Sequence, residues 1–386
     1  MDSSVLTIIP EVSPELISSR DKIISVANGG EVIGADRLIK LLQNKPVIRA
    51  YDGFEPSGRM HIAQGLIRTI NVNKITSTGV KFVFWVADYF ALLNLKLGGQ
   101  KERIKKAGEL MIHIWKACGM NMENVEFIWA SDEIESRSAE YWGLVFDIAT
   151  KVNVSRILRC TQIMGRKDFS EKDVSEKDAE DTHIPYQEML SSMKSSQIFY
   201  PIMQCADIFF LNVDICSLGL DQRKVNALAI EYCDMIKRKL KPVIVSHHML
   251  QGLDGSDKMA KSNPDSAIFM DDTDQEIKTK IKKAFCEPGN ITKNPILEYF
   301  KYIVFEKETE VNINIYDPVT KSSNELSYTN FDSLEKDFAE LKVYPNDLKE
   351  SLVKYLKKYL DPIREYFDKN ADAENLRKEV KKFTAK

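Results

Sequence analysis

From residue 34 to about residue 262, short apolar runs alternate with longer amphipathic ones. VIRAYDGF, VKFVFWVADYF, VEFIWAS and KPVIVSHH have the length and the β-branched and aromatic content of buried strands. GLIRTINVNKITSTG, KERIKKAGELMIHIWKACGM and DQRKVNALAIEYCDMIKRKL repeat apolar residues at helical spacing and close on Gly or a basic last turn, which predicts helices. Together they predict an α/β fold. A parallel sheet is wrapped by helices, with ligands beyond the carboxyl ends of its strands.

The flanks differ. Residues 1–33 read as a polar N-terminal extension, with two prolines, a helix-like SSRDK stretch and an NGGE turn signal. Between 166 and 196 the chain turns to charge and serine, with a short imperfect SEKD echo, which predicts a surface insertion in the domain 34–262. After 263 the alternation stops. DQEIKTKIKKAF, ILEYFKYIVF and LEKDFAELKVYPNDLKESLVKYLKKYLDPIREYF predict a mostly helical C-terminal domain, 263–386. Its last stretch, 351–386, holds ten Lys/Arg against six Asp/Glu, a candidate polyanion patch that a solvated helix face would also produce.

Charge narrows the partners. Across 386 residues, 54 Lys/Arg oppose 57 Asp/Glu, so no global positive field holds the chain on nucleic acid or a membrane, and any polyanion must meet a local patch. With 44% hydrophobic and 29% charged residues, wholesale disorder is excluded. The six cysteines form no CxxC pair and sit mostly in apolar runs, which predicts a reduced, intracellular protein. The N-terminus lacks the basic region of a secretory signal and the Arg-rich character of a transit peptide, and no apolar stretch reaches the ~18 residues of a spanning helix. A cytoplasmic protein without membrane contact is expected.

Three segments carry candidate chemistry. In Tyr51-Asp-Gly-Phe-Glu-Pro-Ser-Gly-Arg-Met-His61-Ile-Ala-Gln64, an apolar strand breaks into a Gly/Pro turn and then a helix, which offers free backbone N–H groups and a positive helix end to a phosphate. His61 and Gln64 share one face of the opening turn, and Ala63 leaves room for a flat base. In Leu253-Asp-Gly-Ser-Asp-Lys258-Met-Ala260-Lys261-Ser262, two lysines three apart suit a departing pyrophosphate as mobile point charges. In Tyr200-Pro-Ile-Met-Gln204-Cys-Ala-Asp207, the three polar groups fall at i, i+4 and i+7, one stripe of an otherwise apolar helix. Such groups are either paired or serve a ligand, and the stripe alone leaves both open. Asp221, after a Gly turn, offers an acceptor pair to ribose hydroxyls. Asp88 reads as a helix cap. His247-His248 lacks a third ligand at metal spacing, so no protein-bound zinc is expected. GxSxG, HExxH and GxxxxGK[ST] are absent, which removes the common hydrolase, metalloprotease and P-loop readings.

Taken together, these segments resemble the class I aminoacyl-tRNA synthetases, specifically the eukaryotic and archaeal tyrosyl type. HIAQ stands where the family has HIGH, KMAKS where it has KMSKS, and YDGFEPSG, YPIMQCAD and LDQRK match its tyrosine-pocket and ribose segments. The likeness runs from about residue 34 to the C-terminus and implies a Rossmann-like catalytic domain followed by a helical anticodon-binding domain. It implies that Tyr51 and Asp207 hold the phenol of L-tyrosine, with Tyr200, Gln204 and Gln222 around its amino end. ATP, with Mg2+, would lie against His61, Gln64, Lys258 and Lys261, with Asp221 at the ribose and Gly53 and Ser57 in the phosphate turn. In Tyr344-Pro-Asn-Asp347, similar to the family's His-Pro-x-Asp, Asp347 would read the first anticodon base of tRNA(Tyr) and Tyr316 would stack on it. A homodimer is implied, with 152–166 near the shared face.

The sequence departs from the family at three places. Gln64 replaces a histidine, Ala260 removes a hydroxyl, and Tyr344 replaces the histidine of the anticodon element. Competing readings are a tryptophanyl enzyme, a stand-alone adenylyltransferase and an inactive RNA-binding protein. A pocket of Tyr51, Gln204 and Asp207 suits a phenol better than an indole with a single N–H.

Overall fold

Six strands form the central sheet of the computed structural model, which describes residues 12–160, 193–257, 259, 263–317 and 320–384. They are β1 (Glu31–Ile33), β2 (Arg49–Phe54), β3 (Lys81–Val86), β4 (Val125–Trp129), β5 (Ile215–Gly219) and β6 (Val243–His247), in the spatial order β1-β6-β5-β2-β3-β4. All neighbours are parallel except β1, which runs antiparallel to β6. The strand order reverses between β5 and β2. Their pairing ends at Tyr51↔Cys216, while β2 continues beside β3 to Phe54↔Val86, so the two strands part at the carboxyl end and open a crevice.

Strand alternation divides the core by face. Phe82 and Phe84 of β3 point to one side, where Trp115 of helix Lys101–Ala117 stacks on Phe84 at 4.6 Å. Val83 and Trp85 point to the other, under helices Ser138–Lys151 and Ser195–Phe210, where Trp85 meets Phe210 edge-on. Burial on both faces explains why these strands are nearly unbroken apolar runs.

Two sheet strands escape the sequence pattern. β5, ICSLG, is wholly buried, but its Cys, Ser and Gly interrupt the apolar signal. β1 lies within the polar lead-in, which therefore joins the sheet edge, while the preceding helix Pro14–Ser25 is capped by the Ser13 hydroxyl and buries Ile23.

Beyond β6 helices dominate, as expected of a mostly helical region, and a hairpin of β7 (Val311–Asp317) and β8 (Ser322–Tyr328), which the sequence reading did not single out, lies among them. β8 is largely exposed, so its polar sequence carries no strand periodicity. Helix Pro345–Lys369 buries Leu348, Leu352, Leu356, Leu360, Ile363 and Phe367 along one stripe, and helix Ala371–Thr384 folds back onto Lys101–Ala117. One apolar core runs continuously from Ile23 to Val380. His113 meets the Tyr366 hydroxyl at 2.8 Å, and Lys106 pairs with Glu379. Much of the basic C-terminal stretch is matched in place: Lys357 and Arg364 on Asp274, Lys358 on Glu308, Arg377 on Glu374. Apart from its last residues, 193–196, the charged stretch 166–196 lies outside the described residues.

Candidate active site

At the crevice between β2 and β5, the segment 51–64 continues from β2 and the stripe 200–207 packs on the face that carries Tyr51. Tyr51 and Asp52 are consecutive, so their side chains leave β2 on opposite faces. Tyr51 is buried under helix Ser195–Phe210, while Asp52 pairs with Arg68 at 2.8 Å on the other side.

After β2 the chain turns through Gly53 to Gly58 and enters a π-helical turn, Ala63–Ile67, that leads into helix Arg68–Thr76. His61 forms an isolated antiparallel bridge with Phe269, reinforced by Ile62 N–H to Ile268 O at 2.8 Å and Met270 N–H to Met60 O at 2.9 Å. The HIAQ turn is thus clamped to the segment 268–270. Gly65 makes the clamp possible, because a Cβ there would lie 2.4 Å from the Met270 sulfur. The Trp115 indole donates to Gln64 O at 2.8 Å, and the Gln64 side-chain oxygen is buried without a partner. Lys258, Ala260, Lys261 and Ser262 lie outside the described residues. The start of their loop is anchored by Leu253 N–H to Ser266 O at 2.8 Å.

On the opposite face, the polar stripe of Ser195–Phe210 is buried as a whole. Tyr200 donates to Glu55 Oε1 at 2.6 Å, Gln204 Nε2 to Gln222 Oε1 at 3.0 Å, and Tyr141 to Asp207 Oδ1 at 2.9 Å. Gln204 Oε1 has no partner. Burial pushes the Asp207 carboxyl far above its usual range, against the pull of Tyr141 and of the nearby Trp85 indole. That indole N–H makes no hydrogen bond of normal geometry, so Tyr141 is the partner that orients the carboxyl. The Tyr51 hydroxyl is driven up first by burial and then by the charge of Asp207, which places the two groups within electrostatic reach. Gly53 adds to this wall, since a Cβ there would lie 3.3 Å from the Tyr51 hydroxyl.

Sequence reasoning missed Tyr141, Glu55 and the Asp52–Arg68 pair. Tyr141 sits in an unremarkable amphipathic run, and no spacing ties it to Asp207. Asp52 Oδ1 and Arg68 Nη1 are both buried without partners. Burial, more than offsetting Arg68 and aided by nearby Asp221, pushes the Asp52 carboxyl up to about 7. The folded chain therefore holds this proton more tightly than the unfolded one. The stability this gives is complete below about pH 4 and lost as pH rises through about 7. Thermal melts should show Tm falling over that window, and Asp52→Asn should flatten the slope; an unchanged slope would assign it to another group.

Asp221 follows β5 in the turn Leu220–Gln222, and a Cβ on Gly219 would lie 2.7 Å from both its Oδ1 and the Met249 sulfur. His247 is held down to about 4 by burial and by Arg68, with Nδ1 3.2 Å from His248 O, while His248 Nε2 contacts Glu298 at 3.0 Å. Among the described residues, no group of three or more His, Cys, Asp or Glu is placed to hold a metal ion. Asp88 is not the cap residue itself but the first residue of helix Asp88–Leu93, and its Oδ1 accepts the N–H of Tyr89 and, from helix Ala130–Ser136, of Ser131. In the C-terminal half, Asp347 Oδ1 accepts Tyr316 N–H at 3.0 Å and its Oδ2 accepts Tyr344 N–H at 3.3 Å, so the carboxylate ties β7 to helix Pro345–Lys369. Both tyrosine rings are exposed.

Residues 43–361 match the family described as tRNA synthetases class I (W and Y). The chain belongs to this synthetase family. The synthetase is 47% identical to "Tyrosine--tRNA ligase 1, cytoplasmic" of Arabidopsis thaliana, over 96% of its own length and 90% of the relative's. It superposes with a TM-score of 0.83 on the Leishmania major tyrosyl-tRNA synthetase bound to tyrosinol, at 42% identity, covering 95% of this chain and 60% of that one. With the tyrosyl-tRNA synthetase of Pyrococcus horikoshii complexed with L-tyrosine, the TM-score is 0.78 at 32% identity, over 93% of this chain and 99% of the other. The synthetase has a mostly parallel, Rossmann-like sheet, and no helix among its described residues is long and apolar enough to cross a membrane.

Proposed function

We infer that the synthetase is a tyrosine–tRNA ligase, which activates L-tyrosine with ATP to tyrosyl-adenylate and pyrophosphate and transfers the tyrosyl group to the 3′-terminal adenosine of tRNA(Tyr). The observation that carries this reading is the buried polar stripe Tyr200–Gln204–Asp207 in the same core cluster as Tyr51, with Asp207 within electrostatic reach of the Tyr51 hydroxyl. At the Asp207 end, the carboxyl and the Tyr51 hydroxyl give a phenol one acceptor and one donor, a match that an indole N–H cannot complete. At the other end, Tyr200, Gln204 and Gln222 receive the ammonium group.

ATP binds across the crevice at the strand-order reversal, with its ribose at Asp221, its phosphates at Gly53, Ser57 and the HIAQ turn, and Lys258 and Lys261 on the departing pyrophosphate. Magnesium enters with the triphosphate. The tyrosine carboxylate oxygen attacks the α-phosphorus as the bond to the bridging oxygen breaks, and pyrophosphate takes that electron pair. A 3′-terminal ribose hydroxyl then attacks the activated carbonyl and releases AMP. No side-chain nucleophile is required, so His61, Gln64 and the two lysines act by position and charge.

The catalytic domain is assigned to 34–262 and the anticodon-binding domain to 263–386, where exposed Tyr316 offers a stacking face beside Asp347. Exposed Trp142, Phe146 and Val154 on successive helices support a homodimer. A cytoplasmic location agrees with the name of the Arabidopsis relative. Amino-acid-dependent pyrophosphate exchange tests the reading: tyrosine should support it and tryptophan should not. Exchange with tryptophan alone, or with neither, would overturn it.

A further inference from the structure

Glu55 lies in the turn just after β2 and has no assigned role, yet three segments converge on it. Its Oε1 accepts the Tyr200 hydroxyl at 2.6 Å and the Asn94 amide at 2.5 Å, and its Oε2 lies 3.4 Å from Lys96 Nζ. Its side chain is only 16% exposed. Asn94 and Lys96 reach it from a loop of unusual shape. Leu95, Leu97, Gly98 and Gly99 all have positive φ, between 51° and 73°, a region that leucine rarely adopts. The left-handed turns bring the amide and the ammonium to the same carboxylate from residues two apart.

A tyrosine hydroxyl has one proton and two lone pairs. In Tyr200 the proton is committed to Glu55, so the oxygen can only accept from a ligand. One helical turn further on, the buried Oε1 of Gln204 is also an acceptor, and it has no partner. The Phe90 ring, edge-on to Tyr200 at 4.8 Å, fixes the phenol plane.

We propose that Glu55 is a positioning residue for the amino group of the substrate: by taking the Tyr200 proton it turns the Tyr200 oxygen into an acceptor that joins Gln204 Oε1 in binding an ammonium ion. This rests on the reading of the slot as an amino-acid site. Glu55 touches no substrate and acts through Tyr200. The loop 94–99 holds the carboxylate from behind, which links the amino end of the slot to the turn assigned to the phosphates.

Glu55→Leu keeps most of the volume of the side chain and removes both acceptor oxygens, so the Tyr200 hydroxyl loses the group that takes its proton. It is tested by pyrophosphate exchange with two competitive inhibitors. Tyramine keeps the phenol and ammonium, and 4-hydroxyphenylpropionate keeps the phenol and carboxylate. The tyrosine KM and the tyramine Ki should each rise about tenfold, the size of a lost charge-assisted hydrogen bond, while kcat, the ATP KM and the 4-hydroxyphenylpropionate Ki stay within about twofold. In a Tyr200→Phe background, adding Glu55→Leu should change nothing further. Equal weakening of both inhibitors, no change in either, or an undiminished effect in the Tyr200→Phe background would each overturn the proposal. A wild-type enzyme without tyrosine-dependent exchange would instead sink the functional reading, and this inference with it.

Discussion

Replacing Asp207 with alanine is expected to cut the synthetase's preference for tyrosine over phenylalanine by about 10- to 150-fold. In the wild type, phenylalanine leaves both the Asp207 carboxyl and the Tyr51 hydroxyl buried without a ligand partner, and unpaired buried groups are expensive. The rejection of phenylalanine by about 10⁵ is a measured property of tyrosine-activating enzymes, not a value deduced from this pocket. What the geometry adds is the share carried by one residue. Loss of a hydrogen bond between the phenol and a carboxyl should lower kcat/KM for tyrosine by about 10- to 150-fold, corresponding to ~1.5–3 kcal/mol, and leave phenylalanine nearly unchanged. Exchange kinetics with both amino acids provide the measurement. The fold should survive, because removing a carboxyl whose burial disfavours its ionised form leaves no uncompensated charge. Tyr141→Phe offers an intermediate case: it keeps the carboxyl and removes the hydroxyl that orients it at 2.9 Å. Selection unaffected by Asp207→Ala would refute the placement of the phenol.

His61→Ala should separate chemistry from amino-acid binding. The HIAQ turn lies on the Arg68 side of the sheet, whereas the Tyr200–Asp207 stripe lies on the other, so loss of the imidazole should leave the tyrosine Kd within about twofold. Adenylate formation should slow by about 10²- to 10³-fold, which is typical of removing one donor directed at developing charge, or ~2.7–4 kcal/mol. Single-turnover adenylation and equilibrium tyrosine binding measure the two quantities separately. If both fall together, the turn supports the pocket and not the phosphates.

The legible parts of this molecule are those where a single segment carries its own pattern. β3, buried on both faces, announces itself as an apolar run, and the stripe at residues 200, 204 and 207 follows from helical spacing alone. β5 is equally buried but is written in Cys, Ser and Gly, so only its neighbours β6 and β2 make it a strand. The partners of the stripe were hidden for a different reason. Tyr141 finds Asp207 across 66 positions and Glu55 finds Tyr200 across 145, and both meetings are decided by helix packing. The HIAQ turn was placed correctly as a strand-to-helix junction, but its π-helical winding depends on the fit of Gly65 against Met270.

Because the last two helices close over the same hydrocarbon that supports Trp115 and the HIAQ turn, the part of the chain after residue 262 is also scaffolding for the part before it. Cutting the chain at residue 262 would leave Leu110 and Ile114 facing water where Phe367 and Val380 had shielded them. The two halves of the chain are therefore not separable cassettes: each completes the hydrocarbon interior of the other.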